Sequence, residues 1–596
     1  MLFAVFPIAV LRNWFLVLLA FVVAIAFGCS PADFKTTAAQ VPQIVTRVPG
    51  DPQTFNYALN QASPSVFGFI YQGLITENGE TGQIEPALAQ SWEISEDKKR
   101  IVFTLREGLK WSDGEPLTAD DVIFTYNDIF FNERIPTTIR DVLRIGESGA
   151  LPKVRKLSDR RVEFTVPETF APFLRTTGGI AILPKHALRE SVVTNNRDGE
   201  PQFLSTWGTD TDPKKIVCSG PYKLESYTAS ERVVFRRNPY YWRKDAQGNP
   251  QPYVDRLIWQ IVESPDTTLM QFRSGGLDMF EIGGNGGSFQ LLKQEEKRGN
   301  FSIYNGGLDF GTNFIVFNLN KGRRNGRPLV DPIKSRWFNT VAFRQAVAYA
   351  IDRQAMLNNV FRGLGDLQNS PISVQSPYYL SPQEGLKVYD YNPAKAKELL
   401  LGAGFKYNNK NQLLDADGNR VRFTLFSQAG SRVSDAVGSQ FKRDMSKIGI
   451  QVDFSPLDFA VLIDKVLNTL EWDSYFGLIT GSIEPNSGAN VWLPDGGFHP
   501  FNQKPQAGQP PIEGREVADW EAEIGRLYIQ GAKEVDEAKR KAIYAETQRL
   551  AQEYLPFIHL VNPLSLAAVR NNITGVKYTA LGEALWNVYE LKVAQD

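Results

Sequence analysis

Between Val437 and Phe454 the apolar spacing changes once, and that change restricts the chain to one broad class of fold. Val437, Phe441, Met445 and Ile448 recur at the three-to-four-residue interval of a helix with one buried stripe. After Gly449, the residues Ile450, Val452 and Phe454 alternate as on a half-buried strand. A helix that runs directly into a strand is the building unit of an α/β lobe. Other segments fit the same class. Asn339 is placed to cap a helix carrying Phe343, Val347, Ala350 and Ile351, with Gly363 as its terminator, and Asn392-Pro393 opens a second helix that Gly402 and Gly404 end. A long helical stretch, 535–554, stops before Pro556 and leads into an apolar strand, 557–561. Ile101, Phe103 and Leu105, and again Val162, Phe164 and Val166, alternate as strands of sheets with one covered face.

Length leaves room for more than one such lobe: 596 residues, 42% hydrophobic and 22% charged, form large cores. The 65 basic and 66 acidic residues nearly cancel, so nothing draws the whole molecule to nucleic acid or to an anionic surface. Enzyme signatures are missing from the sequence. It has no GxSxG, HExxH or P-loop, and its three histidines, His186, His499 and His559, are far apart. That spacing argues against a serine hydrolase and against a histidine-held metal, so no catalytic residue, metal or cofactor is expected. The glycine run 283–287 matches no phosphate loop and reads as a connection.

The first residues carry an address. Trp14 to Gly28 is an apolar run of the length of a signal-peptide core, shorter than a comfortable membrane span. It ends in Ile25-Ala-Phe-Gly-Cys29, which resembles a lipobox, although Ala26 and Phe27 replace the usual residues; an uncleaved anchor is the alternative. Either way the remainder lies outside the cytoplasm. Segment 29–43 is poor in large apolar residues and reads as a tether from a lipidated Cys29. Cys218 is the sole other cysteine, so with Cys29 lipidated there is no disulfide framework, and Cys218 reads as a small packed residue.

Three stretches, Glu85 to Ser95, Phe103 to Gly114 and Leu117 to Tyr126, resemble the bacterial extracellular solute-binding proteins of family 5, the oligopeptide, dipeptide and nickel-binding group. The likeness continues through Gly220-Pro-Tyr, Arg237-Asn-Pro-Tyr-Tyr-Trp242, Phe272 to Asp278, Phe343 to Arg353 and Ala396 to Phe405, in the family's order. Several pieces have plain structural meanings: Asp113-Gly114 is turn chemistry, and Asn238-Pro239 enforces an extended residue. The resemblance implies a periplasmic-binding-protein-like type II (cluster C) fold with two α/β lobes, a hinge of two crossing strands and an extra subdomain on the first lobe. On that plan residues 1–28 are the signal, 29–43 the tether, 44–90, 207–308 and 557–596 lobe 1, 91–206 the subdomain and 309–556 lobe 2. The implied function is capture of a peptide or peptide-like solute for an ABC importer. Its partners are the permease subunits and the membrane, through the lipid, and the working unit is a monomer. An oligosaccharide or a metal chelate in the same cleft is the alternative.

By family position Ala62, Ser63 and Ser65 present a strand edge to the ligand, and Gly477, Leu478, Ile479, Thr480, Gly481 and Ser482 line the opposite wall. Peptide-binding relatives hold the ligand's amine with an Asp three places before an acidic-Pro pair. Glu484-Pro485 fits the pair, and Gly481 stands where the Asp belongs. A buried ammonium without a negative partner costs several kcal/mol, which puts a free-amine peptide in question. Glu484 is then either a shifted replacement or a surface carboxylate capping its loop turn. Trp492, within the long Gly/Pro-rich segment 481–511, either stacks on the ligand or pins the segment. Asn56 has a sufficient role in local turn bonding.

Overall fold

The computed structural model describes residues 41–60, 64–146, 148–506 and 508–594. The signal segment, Cys29, Ala62 and Ser63 lie outside the described residues.

Lobe 1 is built on a four-stranded sheet in the order Gln43–Val48, Arg256–Ile261, Arg232–Arg237, Tyr222–Thr228, the first pair parallel and the others antiparallel. The subdomain is an antiparallel sheet in the order Ala89–Ile94, Arg100–Leu105, Arg161–Thr165, Lys153–Ser158. Ile101, Phe103, Leu105, Val162 and Phe164 are all buried, as their alternation requires. Their core is continuous with that of lobe 1, so the subdomain is an outgrowth of that lobe and not a separate body.

Lobe 2 holds a five-stranded sheet in the order Gln451–Leu457, Arg422–Gln428, Ser474–Ile479, Thr312–Phe317, Phe557–His559. Arg432–Lys447, capped by Ser431, is the crossover helix between the parallel strands Arg422–Gln428 and Gln451–Leu457. It buries Val437, Phe441 and Met445, the stripe expected from the sequence. Asn392 caps Pro393–Gly402 through the Lys395 N–H at 2.9 Å. The stretch expected as one helix after Asn339 is two. Thr340 precedes Val341–Ala350, and Asp352 starts Arg353–Asn359 by accepting the Ala355 N–H at 2.8 Å. A side chain able to cap a new helix competes successfully with continuation of the old one. Asn339 itself ends the preceding helix, Pro332–Asn339.

Two crossings join the lobes. Phe301–Leu308, in a small lobe 1 sheet with Met279–Glu281 and Val561–Arg570, leads through 309–311 into Thr312–Phe317. Phe557–His559 leads through Leu560 into Val561–Arg570. The crossings are antiparallel neighbours on both sides of the gap. At the gap the Asp309 N–H donates to Pro563 O at 2.9 Å and the Leu560 N–H to Asn313 O at 3.0 Å. The return boundary therefore falls at Leu560 instead of Phe557, because Phe557–His559 pairs with Phe314–Val316 inside the lobe 2 sheet.

The lobes also touch away from the hinge. The Ala171 N–H donates to Ala532 O at 2.6 Å, Asp141 accepts the Gly497 N–H at 3.0 Å, and Arg144 pairs with Asp495 at 2.7 Å. The subdomain thus rests on lobe 2.

Candidate ligand-binding cleft

The lobe 2 wall begins with Ser474–Ile479. One edge of this strand pairs with Thr312–Phe317 along its whole length. Its other edge meets Arg422–Gln428 at Ser474 and Tyr475 alone, so beyond Tyr475 no described strand covers it. Gly477 and Ile479 are half-buried, and Leu478 and Thr480 are exposed, Leu478 at 61%. An open edge of backbone donors and acceptors is the template that an extended chain pairs with.

Gly481 is fixed by its neighbour. A Cβ there would lie 1.8 Å from the Phe310 carbonyl oxygen, within the hinge. Backbone cannot retreat as a flexible side chain can, so this position admits no aspartate without moving the crossing. Ser482 is half-buried and its hydroxyl accepts the Glu484 N–H at 3.3 Å.

Glu484 has neither of its two expected roles in full. Its carboxylate accepts the Asn486 N–H, as a loop cap does, but it is buried and forms a two-pronged pair with Arg540 at 2.5 and 2.9 Å. Arg540 also donates to Tyr378 Oη at 2.6 Å and to Gly531 O at 2.8 Å. Burial opposes the charge on Arg540, yet Glu484 holds its pKa above the ordinary guanidinium value. A carboxylate so engaged has its charge already neutralised. Trp492 takes the second of its two readings: its indole is stacked on Tyr528 and edge-on to Phe557, inside the lobe 2 core. The stretch around Trp492 and His499 is accordingly packed. His499 is fully buried in it, with ring nitrogens 2.7 Å from the Val491 carbonyl and 3.1 Å from Glu521.

The facing wall comes from lobe 1, the subdomain and the last residues. Ser65 is half-buried, just ahead of Phe67–Ile70. A cavity of about 500 Å³ lies where this wall meets Ser482 and Ser487 of lobe 2. Its aromatic lining is Tyr57, Tyr71, Tyr241, Trp586 and Tyr589. Its charged lining is Glu77, Arg175 and Arg243. Arg175 is ion-paired with Glu77 and donates to Gly82 O at 3.2 Å. Sequence reasoning placed 62–65 on this side but missed the cavity's aromatic and charged lining, because Tyr241 and Arg243 sit in and beside the Arg237 to Trp242 motif, which has a sufficient structural explanation. Asn238, for example, donates to Gly220 O at 3.0 Å. Trp586 and Tyr589 belong to a C-terminal segment without regular spacing. Asn56 is a structural residue, bonded to Phe203 O, Thr206 O and the Ala58 N–H.

Residues 83–506, well over half of the chain, match the model of the bacterial extracellular solute-binding proteins, family 5 middle. The chain belongs to this family. A probable ABC transporter-binding protein of Deinococcus radiodurans is 29% identical over 86% of this chain and 85% of its own length. The oligopeptide-binding protein AppA of Bacillus subtilis is 26% identical over 71% and 70%. Among solved structures, AppA of Bacillus subtilis in complex with a nonapeptide superposes with a TM-score of 0.76 at 22% identity, covering 93% of this chain and 99% of that one. The periplasmic binding protein MelB of Agrobacterium fabrum, in complex with stachyose, gives 0.77 at 20% identity over 93% and 85%. The two-lobed binding-protein fold follows, and with it the role of an extracytoplasmic, solute-binding component of an ABC importer, whose partners are a small solute and permease subunits.

Proposed function

We propose that this family 5 protein captures a peptide or peptide-like solute between its lobes, with the solute's backbone added to the open edge of Phe476–Ile479. That edge is the observation that carries the reading, and the relatives named for peptides support it. Burial between two lobes strengthens each hydrogen bond and couples occupancy to closure, the form that an importer recognises. The aromatic cavity wall also suits stacking on sugar rings, which keeps an oligosaccharide as the second reading.

The protein works as a binder without a catalytic step. The Cys218 thiol is buried, which pushes its pKa up to about 12, and His186 and His499 are each committed to an acidic neighbour. It acts as a monomer, without metal or cofactor, held at the outer face of the membrane by lipid on Cys29. Native mass spectrometry of the protein purified without denaturation tests the ligand class. A bound peptide mass is expected, and a sugar mass would overturn the peptide reading. For the anchor, Cys29→Ala is expected to move the protein from the membrane to the soluble fraction, and retention of the variant would refute lipidation at that residue.

A further inference from the structure

The cavity wall carries an arginine, Arg243, that forms no ion pair among the described residues, with Glu590 near enough only to feel its charge. Arg243 lies with its guanidinium 3.9 Å from the Tyr589 ring centroid and 5.8 Å from that of Trp242. Arg106 covers the same Trp242 ring at 3.7 Å and donates to Ala87 O at 2.6 Å. Among the described residues neither arginine has an acidic side chain within ion-pair distance. The nearby carboxylates have closer partners: Glu77 pairs with Arg175, and Glu590 with Lys577 at 3.1 Å and Asn587 at 3.0 Å, Arg243 acting on Glu590 only at longer range. Two guanidiniums flanking one indole repel each other, and they lower the cost of bringing an anion between the lobes. At the lobe 2 wall the complementary feature is missing, since Gly481 has no room for a carboxylate and Glu484 is already paired.

We infer that the solute is recognised by a carboxylate: Arg243 pairs with an acidic end group seated in the aromatic cavity, and no carboxylate at position 481 is required to hold an amine. This rests on the proposal that the cleft binds a peptide-like chain. An N-blocked peptide acid satisfies both walls, its backbone on Phe476–Ile479 and its acid on a guanidinium fork, where charge-assisted bonds are strongest.

The test is a calorimetric comparison of N-acetylated tripeptides as free acids and as their C-terminal amides, at low and physiological salt. Wild type is expected to bind at least one acid about tenfold or more tightly than its amide, as a charge-assisted bond implies. Arg243→Gln should erase that preference by weakening the acid far more than the amide, whereas Arg243→Lys should retain part of it; equal melting temperatures for the variants and wild type show that the fold is kept. Equal affinity for acid and amide, or a preference that survives Arg243→Gln, overturns the assignment of Arg243 and leaves the peptide reading standing. If no tripeptide of either kind binds, the peptide reading falls and this inference falls with it.

Discussion

The two walls of the cleft are built in opposite ways. The lobe 2 wall, 477–484, is where family position places the ligand, and its side chains are mostly silent: two glycines, exposed Leu478, and a carboxylate neutralised by Arg540. On the lobe 1 side family position points to 62–65, whereas the aromatic rings and an arginine without an acidic partner come from other segments. On the proposed reading an open backbone edge serves one side and aromatic and charged side chains serve the other. A position fixed by fold can therefore be a poor guide to which side chain contacts the ligand.

If Glu484 belonged to the ligand, the contrast between the walls would fail. As one half of a buried pair, Glu484→Gln should cost about 3–5 kcal/mol by stranding the Arg540 charge. Glu484→Gln combined with Arg540→Met should recover most of it in denaturant titrations. A single variant as stable as wild type but unable to bind would return Glu484 to the cleft. Trp492→Ala should likewise cost about 3–5 kcal/mol, the range for deleting a large buried aromatic ring, with solute affinity unchanged in the folded fraction.

Gly481→Asp should lower stability by about 1–3 kcal/mol through overpacking against the Phe310 carbonyl, and it should gain no preference for free-amine peptides over N-acetylated ones. Restored amine selectivity would mean that the crossing yields easily. Trp586→Ala, on the opposite wall, should weaken solute binding by up to about tenfold while shifting stability by less than about 1 kcal/mol, a combination opposite to that of Trp492.

The hinge between the walls adds a pH dependence. His559 is buried with its Nδ1 unpartnered, and burial together with Arg353 pushes its pKa down to about 3. The unfolded chain then binds more protons than the native one from the ordinary histidine value down to about 3. Stability should fall as pH falls through that window and be insensitive to His559 above it. Melting temperatures of His559→Phe between neutral pH and pH ~4.5 should fall less steeply than those of wild type. Parallel slopes would remove His559 from the acid limb.

Much of the fold was legible from spacing. The stripe Val437, Phe441, Met445 and the cap at Asn392 are local properties, decided by neighbours a few residues away, and they appear where the sequence places them. The break at Asp352 was not legible, because a cap and a continuing helix are both compatible with that spacing and tertiary packing chooses between them. At the site, family position proposes 477–482 as a wall, and the structure adds that the strand edge beyond Tyr475 is open. The roles of Glu484 and Trp492 were not legible, since their partners Arg540 and Tyr528 lie 56 and 36 residues further on.

The α/β class, the family and the glycine at 481 are all readable along the chain. Those depend on periodicity and motif order, which are carried along the chain. Only the tertiary structure decided that Gly481 is pressed against Phe310, that Glu484 is spent on Arg540, and that Tyr57, Arg243 and Trp586 share one cavity. The physical reason is that burial and charge neutralisation are properties of surroundings, and the surroundings of a cleft residue come from segments far apart in the chain.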